Sequence, residues 1–405
     1  MLDLVFQPTV SFTLASFQFV GFPEQTPPGS IPGTAELTIP FHSLKQNPDP
    51  LALLSWKSWG RLFAGRQEEL ARLHQWAESE GGPSMCFVCG PGGVGKTRLA
   101  AQFGQELRAR GWAAGVVSLS GGEDRRDRPP YRLGGAGTLL IIDYPEEKPS
   151  AVEDLFRALA GLEEDVRLRV LFLTRSDYSA WRDRAVDHGV TDLVHDDPLA
   201  LAPWGVGRDD VETAQTIVNG VQETLCGLKK YQHLSAPHPL SPEQMQAWMT
   251  MAPTHCYALF LVALGIYTVL FPEEPALSFT GPEIISALVD RELRRLRNAS
   301  KGMGLPGDAL PRLLAAATIA GGLGWGRLRD DGADLLGLIG APGGWDGHGP
   351  LREAGWLKDV EIKGTEAQGE TVTHTDPDIL APIIPDIVGA AFVHQVLEAF
   401  DRHAG

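Results

Sequence analysis

The sequence predicts an α/β chain: a parallel sheet covered by helices, then an all-helical stretch, then a small winged-helix-like α+β module. Three observations predict it. Between Ser58 and Arg175 short apolar runs alternate with amphipathic ones, the pattern of crossover units that put helices on both faces of a parallel sheet. One glycine-rich run, GPGGVGKT, sits where an apolar run meets an amphipathic one. Beyond about Asp196 strand-like runs give way to helical periodicity. The expected division is a β-rich segment over 1–55, the α/β core over 56–198, a helical lid over 199–274 and the winged-helix-like module over 275–405.

Taken in order, the first 50 or so residues read as short strands, because Phe and Val alternate with Ser and Thr and the Pro- and Gly-dense PEQTPPGSIPG and KQNPDP break the runs. GRQEELARLHQWAES reads as a helix, SMCFVC as a strand, KTRLAAQFGQELRARG as a helix and AAGVVSL as a strand. After the polar loop GGEDRRDRPPYRLGGAG come strand TLLIIDY, helix AVEDLFRALAGL and strand VRLRVLFLT. Helical spacing then governs DVETAQTIVNGVQETL, PEQMQAWM, the run Tyr257–Phe271, PEIISALVDRELRRLR and ALPRLLAAATIA. A hairpin of VEIKG and ETVTHT around TEAQG and a final helix at IVGAAFVHQVLEAF complete the order, and no repeat of solenoid length is visible.

Composition narrows the class. With 43% apolar and 21% charged residues the chain can bury a sizeable core. Lys plus Arg is 35 against Asp plus Glu at 51, so the formal charge of -16 argues against a general nucleic-acid grip. Four cysteines are too few for a disulfide framework, and a cytoplasmic location is expected. The Tyr257–Phe271 run stops at Pro272, short of the roughly 20 residues that a bilayer span needs, and the N-terminus has no basic n-region, so neither a membrane nor a leader is expected.

Chemistry concentrates on Gly90-Pro91-Gly92-Gly93-Val94-Gly95-Lys96-Thr97, which satisfies G-x-x-x-x-G-K-[ST] between a strand and a helix. Glycines let backbone N–H groups converge on phosphate oxygens, and the helix that starts near Lys96 adds its dipole. Lys96 would reach the β and γ phosphates, Thr97 would ligate Mg²⁺, and Arg98 lies in the same turn. The metal also calls for a carboxylate, expected on a neighbouring strand, and Asp143 ends Leu139-Leu140-Ile141-Ile142-Asp143 at the edge where α/β proteins bind ligands. Glu146 or Glu147 would polarise the attacking water. Arg175 follows the strand Leu168–Thr174 on the same edge, where a cation can sense the γ-phosphate. Upstream, Gly65-Arg66 just before a helix could meet a base or ribose.

In the order FAGRQEEL, GPGGVGKTRLA, LLIIDY, LFLTR, these pieces resemble the STAND class of P-loop ATPases, related to the NACHT and NB-ARC modules, and more narrowly a bacterial subgroup. That resemblance implies a slow regulatory ATPase that binds ATP or ADP with Mg²⁺, forms a homo-oligomer in the ATP state and relays a signal to a separate effector or sensor. It also implies that Lys96 and Thr97 hold phosphate and metal, that Asp143 supports the metal, that Arg175 is the sensor and that Gly65 and Arg66 border the nucleotide. The chain departs from the class at Thr254-His255-Cys256-Tyr257, where the lid usually carries Gly-x-Pro, and His374 could stand in for the phosphate-contacting histidine of NB-ARC proteins.

Other features have plainer readings. Cys86 and Cys89 lie three apart on a strand and point to opposite faces, so they are core fillers. No His spacing suits zinc. Arg291 to Arg297 form a basic helical face with Leu293 and Leu296 turned inward. The alternatives to the switch are an AAA+ or initiator-like ATPase acting on DNA and a nucleotide-binding scaffold without useful turnover.

Overall fold

Apolar runs in the first half of the chain become strands buried on both faces, as a parallel sheet between two helical layers requires. The computed structural model describes residues 11–14, 17–20, 37–41, 51–117, 131–132, 135–162, 166–175, 178–234, 237, 239–320, 322–325, 339–341, 345, 348–353, 357–365, 371–380, 383 and 386–404. Contacts divide the chain into one unit of Met1–Pro40, Gly65–Ala202 and Lys363–His374, and a second of Phe41–Ala64, Pro203–Ile362 and Thr375–Gly405.

In the first unit β1 (Ser11–Leu14) and β2 (Phe17–Val20) pair antiparallel. Then follow α1 (Gln67–Glu78), β3 (Ser84–Cys89), α2 (Lys96–Ala109), β4 (Ala113–Val116) and β5 (Tyr131–Arg132), which joins β2. The remaining elements are β6 (Thr138–Asp143), α3 (Pro149–Ala160), β7 (Leu168–Thr174), α4 (Tyr178–Asp187) and β8 (Leu199–Ala200). The central sheet is parallel throughout, in the order β4-β6-β7-β3-β8. On one face Phe87, Leu140, Ile142 and Phe172 pack with Val152, Leu155 and Phe156 of α3 and Trp181 of α4. Phe87 and Phe172 stack with ring centroids 4.9 Å apart. On the other face Val88, Ile141 and Leu171 are buried, and α2 lies against β4, β6 and β7. Leu99, Phe103 and Leu107, spaced four apart, form the buried stripe of α2. This is a P-loop NTPase-like fold.

The helices of the second unit include α5 (Arg208–Cys226), α6 (Pro242–Met251), α7 (Ala258–Leu270), α8 (Gly281–Gly302) and α9 (Ala309–Ile319). It continues with β9 (Leu323–Gly324), α10 (His348–Glu353), β10 (Leu357–Thr365), β11 (Thr371–Leu380) and α11 (Asp386–Ala404), although by contacts Lys363–His374 go with the first unit. α7 contacts both α5 and α8 and is buried on nearly every face from Leu259 to Leu270, which is why its sequence shows little amphipathic period. Capping boxes Ser241/Gln244 and Thr280/Glu283 start α6 and α8. His255, in the turn between α6 and α7, ties that turn to the start of α8: its Nδ1 lies 2.6 Å from the Trp248 carbonyl and its Nε2 accepts the Gly281 N–H at 2.9 Å. Among the described residues no helix is long and apolar enough to cross a membrane.

The structure departs from the expected elements at one place and adds to them at two. Strands do not cease at Asp196, because β8 adds an edge to the central sheet through Val88 and Cys89. The late hairpin is part of a three-stranded sheet, order β10-β11-β9, since Leu323 and Gly324 pair with Leu380 and Ile379. α4 falls in a stretch whose sequence predicts no element. The hairpin turn 366–370 and most of the polar loop after β4 lie outside the described residues.

Candidate functional site

Strand order decides what converges at the carboxyl edge of the sheet. Asp143 is not on the strand next to the glycine loop: β7 lies between β3 and β6, which corrects the neighbouring-strand expectation. In consequence Arg175, leaving β7, emerges between the loop and Asp143. The Gly90 N–H bonds the Thr174 carbonyl at 3.2 Å and the Tyr144 N–H bonds the Leu173 carbonyl at 3.2 Å, so the three strand ends are tied together.

The loop after β3 has the backbone that its glycines permit. Gly90, Gly93 and Gly95 have φ of 157°, 80° and 105°. A Cβ on Gly90 would meet the Leu201 carbonyl oxygen at 2.5 Å, so that position admits nothing larger. Val94 is buried and anchors the loop, Pro91 is exposed, and Gly92 and Gly93 are half-buried. α2 begins at Lys96, so the N–H groups of its first turn have no partner within the helix.

Lys96 is buried, and its Nζ donates to the carbonyls of Gly90 at 2.7 Å and Pro91 at 3.0 Å. Burial lowers the ammonium's pKa, Asp143 opposes that shift and Arg175 adds to it. Thr97 Oγ1 donates to Asp143 Oδ2 at 2.8 Å, joining the loop helix to the end of β6. Burial pushes the Asp143 carboxyl up to about 6, although the Thr97 hydroxyl and Lys96 pull it down. A hydroxyl and a carboxylate this close are hard oxygen donors that suit Mg²⁺. Arg98, on the same turn, bonds Gln102 Oε1 at 3.2 Å.

After Asp143 the chain turns through Tyr144, in the left-handed region at φ 53°. The turn returns Glu146 to Arg175, whose N–H donates to Glu146 Oε1 at 3.0 Å. Glu146 Oε2 is buried with no hydrogen-bond partner among the described residues, whereas Glu147 is exposed. The Arg175 guanidinium carbon lies 4.9 Å from the Tyr144 ring centroid, and its Nη2 is 3.3 Å from the phenol oxygen.

Gly65 and Arg66 both have positive φ, 70° and 67°, at the entry to α1. The Arg66 guanidinium bonds Glu69 at 2.8 Å and the Ala202 carbonyl at 2.6 Å, tying α1 to the chain just past β8. The side chain of His374, on β11, lies outside the described residues. Cys86 is buried and its thiol is pushed up to about 12 by burial, as suits a core filler. Sequence reasoning missed Tyr144 as a contact of Arg175 and Arg169 as a buried cation, since neither fits a motif.

Residues 62–133 match the family model of the AAA ATPase domain. The match takes in Gly65, Arg66 and the whole glycine loop, and stops before Asp143. The tetraacyldisaccharide 4'-kinases of Bordetella parapertussis and Bordetella bronchiseptica are 30% identical over 185 residues, 40% of this chain and 48% of each kinase. The chain thus spans about half the length of the curated relatives it matches. Among solved structures it is similar to the Aeropyrum pernix ORC2 protein in its ADPNP and ADP complexes, at 15% identity and a TM-score of 0.37 over 87% of this chain and 98% of that one. It is also similar to Drosophila ORC bound to DNA, at 16% identity and a TM-score of 0.36 over 86% and 98%.

Proposed function

We propose that the chain is a P-loop ATPase in which the phosphate count of the bound nucleotide sets the conformational or oligomeric state. The observation that carries this reading is the Thr97–Asp143 hydrogen bond beside the buried Lys96 ammonium, at one strand edge with Arg175. Backbone N–H groups of Gly92 to Lys96 would cradle the phosphates, and Lys96 would exchange its loop carbonyls for β and γ oxygens. Thr97 and Asp143 would hold Mg²⁺, which when bound neutralises charge on the phosphate oxygens. Glu146, fixed by the Arg175 N–H, would orient the attacking water, and Arg175 would read the γ-phosphate.

Two elaborations have separate support. The match of residues 62–133 to the AAA ATPase domain favours an AAA+ ATPase, for which an initiator-like role on DNA is one elaboration. The order of the four sequence pieces favours a STAND-type signalling switch. Both require the same nucleotide site, and the test of that site is isothermal titration of ATP and ADP with Mg²⁺. Lys96→Ala should abolish binding of both nucleotides. Arg175→Ala should weaken ATP by roughly 10-fold or more, the range of a charge-assisted hydrogen bond of about 1.5 to 3 kcal/mol, and spare ADP. Full binding by Lys96→Ala would refute the site.

A further inference from the structure

Two connections meet beyond the sheet edge: the turn after β6, from Tyr144 to Glu147, and the first residue after β7, Arg175. The turn holds Arg175 at three points: its backbone through Glu146 Oε1 at 3.0 Å, its guanidinium carbon 4.9 Å from the Tyr144 ring centroid, and its Nη2 3.3 Å from the phenol oxygen. Tyr144 adopts a left-handed backbone, which is rare for a bulky residue and persists only where the surroundings fix it. Here its N–H bonds the Leu173 carbonyl at 3.2 Å and its carbonyl accepts the Glu147 N–H at 3.1 Å. That conformation sets the ring beside the guanidinium.

We propose that Tyr144 is a positioning residue that holds the Arg175 guanidinium for the γ-phosphate and thereby sets discrimination between ATP and ADP. A guanidinium held over an aromatic ring is confined to few orientations, and its planar fork is the geometry that phosphate recognition uses. An arginine on a strand end otherwise samples many rotamers, and ordering it on binding lowers affinity. The ring removes part of that cost beforehand. Because ADP has no γ-phosphate, the benefit falls to ATP alone. The proposal rests on the reading that Arg175 reads the γ-phosphate.

The experiment is titration of the full chain with Mg²⁺ and either a non-hydrolysable ATP analogue or ADP. Tyr144→Leu removes the aromatic face, and Tyr144→Asn does the same with a residue that tolerates the left-handed region. Each should weaken the analogue about three- to tenfold, from lost ring attraction and added side-chain ordering, and leave ADP within about twofold. Tyr144→Phe keeps the face and should restore binding of the analogue to within about threefold of wild type. In an Arg175→Ala background, Tyr144→Leu should add no further loss. Equal losses for analogue and ADP, a loss with Phe as large as with Leu, or a further loss in the Arg175→Ala background would overturn the proposal. If Arg175→Ala itself leaves the ratio of the two affinities unchanged, the sensor reading fails. If Arg175→Ala collapses that ratio and Tyr144→Leu does not move it, only the role of Tyr144 fails.

Discussion

At the scale of the residue, Asp143 carries a cost in stability that the proposed Mg²⁺ site would explain. Its carboxyl rises from 3.8 to about 6, chiefly through burial. A folded-state pKa above the unfolded one means that the folded chain takes the proton first. Stability therefore increases as pH falls from 6 towards 4, and above pH 6 the whole penalty of a buried carboxylate is present. Asp143→Asn removes that penalty and keeps an acceptor for the Thr97 hydroxyl. At pH 7.5 and without nucleotide it should raise stability by about 1 to 3 kcal/mol, the cost of keeping so buried a carboxyl ionised. The same variant should lose the extra thermal protection that Mg²⁺ adds to ATP. Thermal melts with and without Mg²⁺-ATP measure both effects. An Asn variant that melts below wild type without nucleotide would show that the carboxylate is structural.

At the scale of the element, strand and helix identities were legible where side-chain period and end signals agree. β3 matches its expected limits at Ser84 and Cys89 because the run is bounded by Pro83 and by the glycine loop. α4 was illegible because only Trp181 and Ala185 of its ten residues turn fully inward, too few for a period. β8, two residues long, has no period at all. The place of β7 between β3 and β6 could not be read, since periodicity says nothing of strand order. Arg169 illustrates a different limit: in a run read as apolar, its buried guanidinium donates to the carbonyls of Ser79 at 2.7 Å and Gly82 at 2.6 Å, holding the chain that leaves α1. The Thr254–Tyr257 departure likewise acquires a physical role. His255 is neutral in the Nδ1–H form there, with the Trp248 carbonyl accepting and the Gly281 N–H donating, and burial lowers its pKa. The unfolded chain then binds the proton more readily than the folded one, so this contribution is complete above about pH 6.5 and declines as pH falls below it. His255→Leu should lower stability at pH 8 by about 1 to 3 kcal/mol, because the Gly281 N–H is left buried without an acceptor. That deficit should shrink by pH 5.5, with a slope of at most about 1.4 kcal/mol per pH unit. A deficit that stays constant from pH 8 to 5.5 would count against the neutral pin.

At the scale of the whole molecule, net charge separates the two elaborations of the proposed nucleotide site, because each responds to salt with opposite sign. Every copy carries a formal charge of -16, and copies that assemble in the ATP state bring like charges together. Screening reduces that repulsion: the Debye length falls from about 10 Å at 0.1 M salt to about 3 Å at 1 M. Assembly of a signalling switch should therefore strengthen as salt rises. DNA binding should weaken, because each phosphate neutralised by a cation releases counterions, and log K falls by about 0.9 per contact per decade of salt. On the basic face of α8 two of the cations meet carboxylates: Arg295 bonds Glu292 at 2.8 Å and Arg297 bonds Asp308 at 2.8 Å. We expect the ATP-dependent increase in hydrodynamic size, measured by light scattering at 50 and 500 mM salt, to be larger at the higher salt and to vanish in Lys96→Ala. Fluorescence anisotropy of a labelled duplex at the same two salts supplies the opposing measurement. Nucleotide-dependent duplex binding that is lost at 500 mM, with no growth in size at either salt, would decide for the initiator-like ATPase.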